Sequence, residues 1–151
     1  KAVETNHAAL QGSIDPSAAT YTKYKADYDE KAGAKAAAES TFKDYVDKMN
    51  KAISMKTDLD NYRGTAKALE KLDLVWLDGY KQKIDAFDSA CNAAVSAGNS
   101  CKKYLDPASS DYKSISDNEK NMKDSLAAYK ENYNKMEATY KNLHPIQSLK
   151  Q

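Results

Sequence analysis

Cys91 and Cys101 are the only cysteines of the chain. An even count at close spacing points to one disulfide, and a disulfide points to an oxidising compartment. The spacing is too long for a Cys-x-x-Cys redox pair. Two Cys with two distant His, His7 and His144, also make a poor zinc set. As a bridge, Cys91 and Cys101 would close a short loop worth about 2–3 kcal/mol on the entropic account. Its role would be to fix the direction in which the chain leaves the second helix.

Acid–base chemistry needs two carboxylates facing each other across a cleft. The acids here come in close sequence pairs instead: Asp27 with Asp29, Asp44 with Asp47, Asp58 with Asp60, and Asp85 with Asp88. The Glu-x-x-His motif of di-metal helix bundles is missing. So are a Gly-rich phosphate loop, a His-x-x-x-His pair and any local nucleophile signature. The sequence therefore names no catalytic, cofactor-binding or metal-ligating residue, and the expectation is a non-enzymatic protein without a cofactor.

Tyrosine is over-represented, with eleven Tyr against two Phe and one Trp. Most of them fall on the apolar seams described below. A thin helical core is wet at its edges, and Tyr buries its ring there while its hydroxyl stays hydrated. The functional alternative is an aromatic surface for a sugar, a peptide or an apolar ligand. Trp76 shares a stripe with Leu69, Leu72 and Phe87 and reads as core. Leu74 and Val75 point away from that stripe and form a candidate partner patch.

The elements that must carry these residues are helices. From Tyr112 to Leu143 the larger side chains are Tyr112, Ile115, Met122, Leu126, Tyr129, Tyr133, Met136, Tyr140 and Leu143, with Glu119 the one weak slot. Steps of three and four repeat every seven residues, as on a helix that buries one narrow seam. An earlier helix carries Tyr21, Tyr24, Tyr28, Ala38, Phe42, Tyr45, Met49, Ile53 and Leu59. Its seam thins between Lys31 and Ala38, around Gly33; a continuous helix is preferred to a break there. A middle helix carries Leu69, Leu72, Trp76, Tyr80, Ile84, Phe87, Cys91 and Val95. Thr65 is its expected cap and Ala97-Gly98-Asn99-Ser100 its expected end.

The predicted fold is all-α: an elongated, antiparallel up-down-up, coiled-coil-like three-helix bundle. The expected parts are an N-terminal arm or short helix over 1–14, a single domain over 15–144 with helices at about 16–62, 65–97 and 107–143, and a frayed tail over 145–151.

Charge narrows the functional classes. The formal net charge is +1, and no more than two basic residues adjoin, at Lys102 and Lys103. Nucleic-acid binding needs a concentrated basic face, so nucleic acid is not an expected partner. The longest apolar run, Leu74 to Leu77, falls far short of the ~20 residues that cross a bilayer, so no transmembrane segment is expected. The first residue is Lys1, which suggests a processed chain with a signal peptide or lipid anchor upstream. These features predict an extracytoplasmic (periplasmic, cell-surface or secreted) helical protein. It would be the soluble part of a lipoprotein or a similar envelope component, binding another protein or an envelope component. The alternatives are a bundle that holds a small apolar ligand and an intracellular, oligomerising coiled-coil module.

Overall fold

The computed structural model describes residues 19–66 and 72–145. The predicted arm, the predicted start of the first helix, Leu69 and the tail beyond Pro145 lie outside the described residues. Three helices account for most of the rest: α1 (Ala19–Arg63), α2 (Leu74–Lys102) and α3 (Ser110–Leu143). Among the described residues there is no strand. The fold is an all-α three-helix bundle.

α1 runs unbroken for 45 residues, through Gly33. Its surface is laced with Lys–Asp pairs four residues apart, such as Lys25–Asp29 and Lys43–Asp47, each at 2.7 Å. Such exposed pairs each add only a few tenths of a kcal/mol to a helix.

The chain divides into two compact units, 1–41 and 42–151, with the boundary inside α1 and not at the 14/15 junction expected from the sequence. The thin seam explains the division. Residues 29–37 are all exposed, so this stretch has no side chains committed to a core. In the first unit Tyr21, Tyr24 and Tyr28 are half-buried, and Gly33 has open space around it.

In the second unit the three helices alternate in direction. Asp58 pairs with Lys83 across α1 and α2, and Lys102 with Glu119 across α2 and α3. Both pairings join the late part of one helix to the early part of the next. Between α1 and α3 the order is parallel: Tyr45 meets Asn118, and Asp60 meets Tyr129.

The largest cluster of buried residues includes Ala52, Leu59, Tyr80, Phe87, Met122 and Tyr129. A second holds Tyr45, Ala97, Cys101 and Ile115, and a third Leu72, Leu77 and Tyr140. Phe87 meets the edge of Tyr129 at 5.8 Å and 89°. This geometry suits the ring quadrupoles.

Both ends of α2 differ from the sequence expectation. Its N-cap is Asp73, whose carboxylate accepts from the Trp76 N–H at 2.7 Å. Thr65 caps nothing. Its hydroxyl donates to the Tyr62 carbonyl at 2.6 Å and accepts from Trp76 Nε1 at 3.0 Å, tying the first turn to the start of α2. At the far end, Ala97-Gly98-Asn99-Ser100 is helical and α2 continues to Lys102. Gly98 is buried inside the helix, where a Cβ would lie 2.9 Å from Ile115 Cγ2 and 3.2 Å from Tyr45 Cε2. It is there for close packing, not termination. α3 is capped by Ser109, three residues into the predicted span, and ends at Leu143 as expected.

Candidate functional site

The disulfide expected from the sequence is absent: Cys91 and Cys101 are both buried, and neither is in a disulfide. The reason is geometric. Both lie on the uninterrupted α2, ten residues apart. Their Cα atoms are thus about 15 Å apart along the axis, more than twice the reach of a disulfide. The sequence reading ended α2 too early and so folded Cys101 back.

Burial, with a smaller push from Asp88, raises the Cys91 thiol to about 11, and burial followed by Asp44 also raises Cys101. Reactive thiols need the opposite environment, so these two serve as small apolar core residues. In the native protein both should resist iodoacetamide at pH 7.5, and both should be carboxymethylated in urea without prior reduction. Mass spectrometry reads both results; a mass of two hydrogens less before reduction would restore the bridge.

Each paired acid faces a lysine. Asp27, Asp29, Asp44, Asp47, Asp60 and Asp85 bind lysines four residues away on their own helices. Asp58 and Asp88 reach Lys83 and Lys130 on neighbouring helices at 2.6 Å. Glu119, the weak slot, lies between Lys102 and Lys123, which hold its carboxyl below the usual range, Lys123 contributing most. Among the described residues, no group of three or more His, Cys, Asp or Glu could hold a metal. No described helix is long and apolar enough to cross a membrane.

The buried tyrosines use their hydroxyls to join helices. Tyr80 donates to Asn132 Oδ1 at 2.6 Å, Tyr45 accepts from Asn118 Nδ2 at 3.2 Å, and Tyr129 donates to Asp60. That last bond is the main cause of the lowered Asp60 pKa. Lys56 and Arg63 both sit over the Tyr129 ring, 5.8 Å from its centre. Trp76 stacks on Tyr62 at 5.3 Å and meets Tyr80 edge-on. His144 is half-buried against Tyr140 at 4.6 Å; His7 lies outside the described residues.

The candidate patch separates into its two members. Leu74 is half-buried and packs with Trp76, Tyr133 and Met136 around the third cluster, whereas Val75 is 81% exposed. One exposed valine is not a patch.

A longer apolar line lies elsewhere. Along α1, Phe42, Val46, Met49 and Ile53 follow one another at steps of four, three and four, the spacing of a single helix face. They sit beside the α1 core line of Tyr45, Ala52 and Leu59. Val46 and Ile53 are 52% and 57% exposed. Opposite, α3 presents Asp111, Ser114, Asn118, Asn121 and Ser125. The space between the helices forms two adjoining grooves that meet at Asn118, of about 270 and 310 Å³. Sequence reasoning placed Phe42, Met49 and Ile53 in the core and passed over Val46. The available signal was the width of the face: two parallel apolar lines are more than one core seam needs.

No protein-family model matches the chain, and no curated protein or solved structure is significantly similar to it.

Proposed function

We propose that the protein is a non-enzymatic helical binding module that engages another macromolecule through the groove between α1 and α3. The observation that carries this reading is the half-exposed line Phe42–Val46–Met49–Ile53 beside an α3 wall of Ser and Asn that ends at Asp111. Apolar residues aligned along an open groove mark interaction sites, whereas singly scattered ones need no explanation. The paired acids and buried thiols support a role without catalysis, because each is occupied by a salt bridge or by packing.

The alternative, an apolar small molecule enclosed between the helices, has less support. Leu59, Leu77, Tyr80 and Phe87 are fully buried and fill the interior. An extracytoplasmic location is not part of this proposal, since two buried thiols suit a reducing compartment as well as an oxidising one.

Photo-crosslinking in the cells that make the protein tests the reading. Benzoylphenylalanine at Ile53 should give a discrete adduct, and the same group at Lys51, on the solvent side of α1, should give none. Equal smears from both positions, or no adduct at either, would remove the groove as the binding site.

A further inference from the structure

We infer that the partner at this groove is an amphipathic helix that lies antiparallel to α1 and α3, acidic in its first turn and basic in its last. This inference rests on the binding function proposed above and adds the partner's class and direction. α1 and α3 run parallel, and among the described residues α2 occupies only one of the two sides where a helix can nest against both. The open side is where an up-down-up-down bundle places its fourth helix, antiparallel to both neighbours. From Phe42 to Ile53 the apolar wall spans about 17 Å, the length of three helical turns. The small Ser and Asn side chains of the α3 wall let a helix backbone approach closely.

Charge sets the direction. Asp111 lines the groove at the Phe42 end and has no ion-pair partner among the described residues. At the Ile53 end Lys56 and Arg63 flank a single carboxylate, Asp60, which leaves one excess positive charge. An antiparallel helix brings its C-terminus to Asp111 and its N-terminus to Lys56 and Arg63. Basic residues in its last turn and acidic ones in its first complement these groups, and they also complement the helix's own dipole. A parallel helix would need both charges reversed, against its dipole.

The test uses two fluorescein-labelled, hydrocarbon-stapled peptides of about fourteen residues. Both carry Leu at steps of four, three and four. One has Glu in the first turn and Lys in the last, and the other has the two exchanged. Stapling holds both helical, because free helices of this length are marginal in water. By fluorescence anisotropy in low salt, the Glu-first peptide should bind at least about five-fold tighter than the exchanged one. Ile53→Glu should abolish binding of both peptides, and Asp111→Asn should shrink the preference. In 0.5 M salt the preference should fall toward unity.

Equal affinities, or a preference for the exchanged peptide, would overturn the inference while leaving a site-specific crosslink at Ile53 standing. No binding of either peptide at millimolar concentration would overturn it too. So would sedimentation showing a dimer that Ile53→Glu dissociates, because a second copy would then occupy the groove.

Discussion

Phe87→Ala is expected to lower unfolding stability by about 3–5 kcal/mol, the usual range for deleting a fully buried ring. Phe87 is 1% exposed and belongs to the largest cluster, with Leu59, Tyr80, Met122 and Tyr129. Its ring makes the edge-to-face contact with Tyr129, whose hydroxyl in turn holds Asp60 on α1. One substitution thus withdraws support from all three helices at the same level. Collapse into the vacancy is limited, because the neighbouring residues are fixed by helices that are themselves packed. Phe87 also forms part of the floor of the α1/α3 groove, so its loss deepens that groove. Urea denaturation followed by circular dichroism measures the cost. A loss under about 1 kcal/mol would mean that Phe87 is not central to the packing.

Glycine substitutions give the second large effect, and its sign depends on position. Gly98→Ala should destabilise by about 1–3 kcal/mol, even though alanine gains about 1 kcal/mol of helix propensity over glycine. The new methyl would press on Ile115 and Tyr45. Both are buried, at 6% and 8% exposure, so neither has free space to move into. Gly33→Ala should do the reverse. Beyond the local helix backbone, no described atom lies within 4 Å of a Cβ there, so the propensity gain of up to about 1 kcal/mol stands alone. Far-ultraviolet thermal melts of both variants beside the parent chain decide the point. A stabilising Gly98→Ala would show that α2 does not approach α1 and α3 as closely as described.

These two positions also show what the sequence made legible. Gly33 lies in a helix that the pattern predicted to run through, and it does. Gly98 has the same residue type, yet the sequence pattern there reads as a helix end. A glycine that ends a helix and one that admits a neighbour read alike until the neighbour is known. The α3 seam was readable because its large residues coincide with its buried line: Ile115, Met122, Tyr129 and Tyr140 are all buried. On α1 the two differ. Its core line runs through Ala52, 1% exposed, and the larger Ile53 turns outward. Size therefore misled the reading at the place where the groove lies. The cysteine pairing failed for a related reason: it depended on where α2 ends, and boundaries depend on caps such as Asp73 and on local packing. Tyrosine was read more securely. Its preference for a buried ring and a bonded hydroxyl is met at Tyr45, Tyr80 and Tyr129.

α1 buries the Tyr45–Ala52–Leu59 line and leaves the Val46–Ile53 line open beside α3. Single cysteines at 46, 52, 53 and 59 distinguish the two lines when labelled with iodoacetamide in the native protein at low concentration and compared with rates in urea. Positions 46 and 53 should label at close to their unfolded rates, while 52 and 59 stay protected along with Cys91 and Cys101. Protection at 46 and 53, or ready labelling at 52 and 59, would contradict this arrangement.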